Sequence, residues 1–247
     1  MADVLRAEWF DIDDGNKGAF IDWFHGTYLP ELQAQTGISW VGNYAIVRPK
    51  GKGDPRKQET DDPIVAPGRD YVVLTAAPTA SVYFQKNNVI ETLEAKHIDQ
   101  LSQRENYRQA VFIEEESVPG PERRALPSGS GAPPAMQIGN YNTVTPEDEL
   151  ELARWYRQER FPRLSVTRGM IQGRKMLSLA GWPKHGVLWE FTSMDEEEDS
   201  FEPRFVAADR DENWQGRHVL EYVIHGPHGP HAGRRIWPDE YPHTPAE

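Results

Sequence analysis

The sequence predicts an α+β fold built from two β-α-β-β-α-β units, and three observations carry the prediction. One stretch is spelled twice, first as Trp23-Phe-His-Gly-Thr-Tyr-Leu-Pro30-Glu-Leu32 closing at Gly37, then as Trp155-Tyr-Arg-Gln-Glu-Arg-Phe-Pro162-Arg-Leu164 closing at Gly169. Trp, Pro, Leu and Gly recur at one constant offset, the mark of an internal repeat. Each copy is followed by short apolar or alternating runs that read as strands. Between the copies lies Pro119–Pro134, rich in Pro, Gly and Ser, with the composition of a linker. A chain of 247 residues suits two units of roughly 100–130 residues each.

The elements follow in order. Val4–Ile12 reads as a strand, with Leu5, Ala7 and Trp9 alternating against Arg6, Glu8 and Phe10. From Gly18 to Gln35 the pattern is helical, with Phe20, Trp23, Phe24 and Thr27 along one stripe. Pro30 lies inside that pattern and cannot donate a backbone hydrogen bond, so the helix must kink or step near Gly26 and Thr27. Gly37 supplies the stop. Ile38–Arg48 is a second strand, Tyr71–Ala76 a buried third, Thr79–Gln103 a second helix and Tyr107–Glu116 a fourth strand. The polar segment Pro49–Asp70 between them is too long for an ordinary turn and reads as a long loop, either a functional lid or a disordered insertion.

The second unit repeats the order. Met136–Val144 is a strand and Pro146–Arg168 a helix whose opening Pro146-Glu-Asp-Glu149 suits a helix N-terminus. Strands Met170–Leu179 and Val187–Thr192, an acidic helix Asp195–Asp211 and a last strand Arg217–Ile224 complete it. The predicted organisation is therefore a first repeat over 1–118 with an insertion loop at 49–70, a linker at 119–134, a second repeat over 135–225 and a Pro/His-rich C-terminal tail at 226–247.

Composition narrows the chemistry. The net charge of −12 repels phosphate backbones and anionic membrane surfaces, which argues against nucleic-acid or membrane partners. The absence of Cys excludes disulfides, thiol catalysis and iron–sulfur clusters. No targeting segment or long apolar run is evident, so a cytoplasmic protein is expected. No Gly-rich phosphate loop is present: Gly51-Lys-Gly53 lacks the strand-turn-helix context. His225, His228 and His231 are metal-ligating residue types, but Gly and Pro between them fix no geometry, and a flexible tail is expected there.

A β-α-β-β-α-β unit is the ferredoxin-like arrangement. Its sheet leaves one apolar face bare, and a second copy packed sheet to sheet closes the pair into a barrel. The repeated motif resembles that of the dimeric α+β barrel superfamily, most closely its EthD-like branch, whose pattern is Trp-Tyr-Asp-x-Glu-His-x-Pro-x-Leu followed by Gly. Trp155, Tyr156, Glu159, Pro162, Leu164, Gly169, Arg174 and Lys175 fit it, as do Trp23, Phe24, Pro30, Leu32, Gly37 and Tyr44 in the first copy. The family His falls on Tyr28 and Arg160, and the family Glu on Thr27 and Glu159. The resemblance implies a cavity between sheet and helices. It also implies a function among cofactor-free isomerases, polyketide cyclases and dehydratases, metal-free oxygenases and haem enzymes.

On that reading His25 and Tyr28, three apart on one helix, are the candidate acid/base pair. Glu159 and Arg160 are their counterparts in the second copy; Trp23, Tyr44, Arg157 and Trp155 are candidate substrate contacts. The Arg157–Glu159–Arg160 turn reads more readily as a solvated ion-pair face, and the aromatic residues more readily as core. The first unit is favoured because the 49–70 loop belongs to it and is placed to cap its cavity. The function predicted is acid/base chemistry on an aromatic or polyketide-like small molecule, of lyase, dehydratase or isomerase type. The alternatives are a cofactor-free oxygenase of an electron-rich aromatic and a non-catalytic barrel. No cofactor or metal is expected; haem, through His97 or His185, is the one to test. A homodimer is compatible with the sequence but not required for folding.

Overall fold

The computed structural model describes residues 4–47, 55–123, 131–211, 213–214 and 216–239. Sequence readings that fall on 49–54, 124–130 and 240–247 lie outside the described residues. The first half runs β1 (Val4–Asp11), α1 (Lys17–Trp23), a π-helical turn (Phe24–Tyr28), α2 (Leu29–Gln33), β2 (Trp40–Val47), β3 (Gln58–Glu59) and β4 (Tyr71–Ala77). It ends with α3 (Ser81–Phe84), α4 (Val89–Lys96), α5 (Ile98–Leu101) and β5 (Glu105–Pro119). The second half runs β6 (Ala135–Thr143), α6 (Pro146–Trp155), a π-turn (Tyr156–Arg160), α7 (Phe161–Leu164), β7 (Met170–Gly181) and β8 (His185–Phe191). Then come α8 (Met194–Glu196), a third π-turn (Glu197–Phe201), α9 (Glu202–Asp211), β9 (Asn213–Trp214), β10 (Arg217–His218), β11 (Val223–His225) and β12 (His231–Trp237).

Eight strands close into an antiparallel barrel in the order β12-β2-β4-β1-β5-β7-β8-β6, with β6 returning to β12. Closure removes the exposed edges that open sheets must protect. Beyond β12, β6 also pairs with β11, which carries β3 in parallel. The period-two alternation read in β1 decides its two faces. Leu5, Ala7 and Trp9 enter the lumen, while Val4 and Phe10 pack beneath the helices. The lumen is filled from both halves, with Trp40, Leu74 and Phe112 meeting Met136, Ile138, Met176 and Leu188. The helices cover the outside over two further cores.

The predicted helix step is present, and in both copies. Pro30 is the second residue of α2 and Pro162 the second of α7, so neither offers an N–H to the turn before it. The chain accommodates this with a wider π-turn, in which Leu29 N–H reaches Phe24 O and Phe161 N–H reaches Tyr156 O. Gly37 and Gly169, at φ +90° and +80°, take the left-handed turn that ends each motif.

Four expectations are corrected. Thr79–Gln103 is not one helix: Asn87 has φ 55°, and the Asn88 side chain accepts from the N–H groups of Ile90 and Glu91, starting α4 afresh. Arg217–Ile224 is broken by a 3-10 turn at Val219–Glu221. The segment 226–247 is no tail in its first part, because β12 fills the gap between β2 and β6 and so completes the ring. The described part of the 49–70 loop is not confined to its own unit. It crosses to β11 through β3 and covers one mouth of the barrel, where Arg108 Nη1 donates to Ala66 O and Gly68 O, each at 2.8 Å. Among the described residues no helix is long and apolar enough to cross a membrane.

Candidate functional site

The helix–sheet interfaces of the two halves are built alike but filled differently. In the first half β1 presents Arg6 and Glu8 to the helices, and the polar groups there satisfy one another. Arg6 Nη2 lies 3.1 Å from Glu8 and 2.6 Å from Glu94, and its Nε donates to Gln109 at 2.8 Å. Arg104 Nη1 and the Tyr107 hydroxyl both reach Glu8 Oε1 at 2.9 Å. Burial alone would raise the Glu8 pKa, but the two guanidiniums hold it below the usual carboxylate value.

His25 and Tyr28 are not brought together in this half. His25 Nε2 lies 2.9 Å from Asn43 Nδ2 on β2, and partial burial lowers its pKa. Tyr28 points instead into the core, stacked on Phe24 at 5.2 Å and met edge-on by His97. Its hydroxyl is buried without a hydrogen-bond partner, and burial pushes the phenol pKa well up. The π-turn explains the divergence: a wider turn rotates residues three apart off a common face. Trp23 packs partly buried against Tyr28 and His97. Tyr44 lies on the other side of the sheet, in the lumen, donating to Pro133 O at 3.0 Å.

In the second half the predicted residues divide between solvent and core. Glu159 is half-buried and pairs loosely with Arg163 at 3.6 Å; Arg157 is exposed and bound to Glu116. These two are the solvated ion-pair face. Trp155 is core, and Arg160 is buried with its guanidinium 5.2 Å from the Trp155 ring and 4.0 Å from Phe205.

The residues that distinguish this half come from the strands. Tyr141 on β6 is register partner to His185 on β8 and His225 on β11, and the three rings form a row with neighbouring centroids 6.0 Å apart. Tyr156, the first residue of the π-turn, lies parallel to Tyr141 at 6.3 Å and an interplanar angle of 8°. Lys175 on β7 is buried and paired with Glu115. His185 is buried, and neither ring nitrogen has a hydrogen-bond partner. Burial and the Lys175 charge pull its pKa down to about 4. The Tyr222 hydroxyl is likewise buried and unpartnered. The result is a neutral imidazole beside a buried ammonium under a wall of phenol rings.

The two imidazoles proposed for haem have different surroundings. His97 Nε2 is 2.9 Å from Glu31, with its ring against Trp23 and Tyr28, and His185 lies at 20° to the Tyr141 ring. Among the described residues no group of three or more His, Asp or Glu is placed to hold a metal ion. His225, His228 and His231 do not converge. His225 meets Gln58 O, His228 is exposed with its N–H on Glu59, and His231 is buried beside Trp9.

Sequence reasoning singled out His185 only as an axial ligand for haem and missed Tyr141 and Tyr222. Lys175 was visible as part of the repeated motif. The signal available for Tyr141 was its place on the helix-facing side of β6, with Gln137 and Gly139.

No protein-family model and no curated protein matches the sequence. Solved structures do match the fold over nearly the whole chain. A candidate chlorite dismutase superposes with TM-score 0.58 at 10% identity, over 96% of this chain and 95% of that one. A candidate monooxygenase from Fusobacterium nucleatum gives TM-score 0.52 at 8% identity over 95% and 93%, and an anthrone oxidase-like protein gives 0.50 at 10% over 95% and 91%. At such identity the likeness is one of fold. It agrees with the α+β barrel expected from the sequence.

Proposed function

We propose that the chain is an oxygen-using small-molecule enzyme, an oxygenase without a bound cofactor, acting on an electron-rich aromatic in the second helix–sheet interface. On this reading the halves are ferredoxin-like repeats from a tandem duplication of the EthD-like kind. The strand orders β2-β4-β1-β5 and β7-β8-β6-β11 support it, since each puts the first strand of its half between the third and the fourth. The first interface has become structural and the second has kept the chemistry. This replaces the preference for His25 and Tyr28, and for a lyase or isomerase.

The observation that carries the proposal is His185: buried, neutral at physiological pH, without a hydrogen-bond partner and set against Tyr141. The imidazole accepts the proton of a phenolic O–H or of a C–H flanked by aromatic rings. A base this weak removes only an acidic proton, so the Lys175 ammonium is needed to hold the resulting anion. That anion passes one electron to dioxygen, and the radical and superoxide recombine to form a C–O bond. The imidazolium returns its proton to the peroxide anion, and the resulting organic hydroperoxide loses water to leave a carbonyl. Dioxygen is the oxidant, and one of its atoms leaves as water.

The names of the similar structures, a monooxygenase and an anthrone oxidase-like protein, support the oxygenase reading over a lyase. The test is oxygen uptake with a panel of hydroquinones and anthrone-type aromatics. The expected result is stoichiometric consumption, lowered at least ~100-fold in kcat by His185→Gln and unchanged by Tyr28→Phe. Turnover without oxygen consumption would return the lyase or isomerase reading, and full activity in His185→Gln would dismiss the site.

A further inference from the structure

One mouth of the barrel gathers polar side chains that the chemistry above does not use. β1 and β6 run the same way round the antiparallel ring, and β5 and β12 the opposite way. The ends of the first pair therefore meet the starts of the second at one mouth. Trp9 stands there on β1, Asn140 on β6, Arg108 on β5 and His231 on β12. All four are buried. Trp9 and Arg108 are direct register partners, with the guanidinium 4.6 Å from the indole ring. The His231 ring is 6.4 Å from that of Trp9, and His231 is register partner to Ile138, two residues before Asn140.

Two atoms of this group can only donate, and neither is answered. Trp9 Nε1 and Arg108 Nη2 are donor-only atoms, and both lack a partner. Both nitrogens of His231, and both the nitrogen and the oxygen of the Asn140 amide, also lack one, so these two side chains can donate to one guest and accept from another. Arg108 spends Nη1 on two neutral carbonyls, Ala66 O and Gly68 O. No carboxylate bonds it among the described residues, although a buried charge is costly unless paired. Burial lowers the Arg108 pKa to about 10, which leaves it charged at neutral pH. A water molecule can satisfy donors but brings no charge.

We propose that this mouth of the barrel is a binding site for a small anion, held by Arg108 Nη2, Trp9 Nε1, His231 and the Asn140 amide beneath the 55–70 loop. The class is a halide or a small monovalent oxyanion such as formate or nitrate. The site is separate from the His185 cluster, since these four side chains face the lumen and His185 faces the helices.

The test uses the full chain. Thermal unfolding is followed on titration with chloride, bromide or formate at ionic strength held constant with gluconate, and crystals soaked in bromide are examined for anomalous scattering. The expected result is a saturable rise in Tm with the small anions, roughly 5–10 °C at a hundred times the dissociation constant. A bromide peak should lie within hydrogen-bonding distance of Arg108 Nη2. Trp9→Phe keeps the ring and removes the N–H, and should weaken bromide binding about tenfold. Identical Tm in chloride and gluconate, or a mouth occupied by water alone after the bromide soak, overturns the proposal. So does undiminished bromide binding in Trp9→Phe.

Discussion

His185 lies nearly flat over Tyr141, with ring centroids 6.0 Å apart and planes 20° from parallel, and neither imidazole nitrogen is hydrogen-bonded. Its pKa falls from 6.5 to about 4, and that of His231 falls well below 6.5, in each case chiefly through burial. A folded-state pKa depressed below the unfolded one gives stability that is complete above pH 6.5 and lost as the pH falls, because the unfolded chain binds the protons first. Thermal melts from pH 7.5 to 4.5 should therefore show Tm falling below pH 6.5, with a shallower fall in His231→Phe. Parallel curves for the two proteins would remove the argument. The same depression predicts a flat pH–rate profile between 6 and 8, since the proposed base is already neutral there.

Glu8 is the centre of the first interface, bonded by Arg6, Arg104 and the Tyr107 hydroxyl. Glu8→Gln leaves two buried guanidiniums with Glu94 alone to answer them. Breaking one partner out of a buried ion pair costs roughly 3–5 kcal/mol. Urea unfolding should report a loss of that size. Kinetic parameters should be unchanged in the protein that stays folded, because this network is structural. A loss of kcat without a loss of stability would move the chemistry back to the first half.

Glu197 shifts the other way. It opens the third π-turn, buried, with Gln137 Nε2 3.1 Å from it and equally 3.1 Å from Glu202. Burial, then Glu202 and Glu198, raises its pKa to about 8. A carboxyl raised above its unfolded value of 4.5 gives stability that is complete below that value and lost as the pH climbs towards 8. Glu197→Gln should therefore be more stable than the parent at pH 8 and closer to it at pH 5. Differential melts at those two pH values check it; a stability difference that does not depend on pH would count against the raised pKa.

Local pattern made some of this legible and long-range pairing hid the rest. Pro30 announced the helix step because a missing N–H is a property of one residue in one turn, and Pro162 carries the same step in the second copy. The faces of β1 followed from alternation over Leu5, Ala7 and Trp9. Alternation could not show that the Arg6–Glu8 side would also be buried, since the groups that answer it, Glu94 and Arg104, arrive roughly ninety residues later. The pairing of Tyr141 with His185 depends on strand register across β6 and β8, which a single sequence does not specify. His25 and Tyr28 looked like partners because α-helical spacing was assumed where the chain forms a π-turn.

The strand β12 is the hardest element to read and the most exposed to test. His225-Gly-Pro-His228-Gly-Pro-His231 carries turn residues, and the seven-residue strand that follows has no neighbour close in sequence. Its partners are Asn43–Val47 on one side and Ala135–Ile138 on the other, so it bridges the halves where they are otherwise unjoined. A chain ending at His225 leaves those two edges open and uncovers the apolar lumen around Trp40, Met136 and Ile138. It should lose ~10 °C or more in Tm, unfold over a broader urea range and bind a dye specific for apolar surface before any denaturant is added. Were the segment a passive tail, the shortened chain would melt with the parent and leave the dye dark.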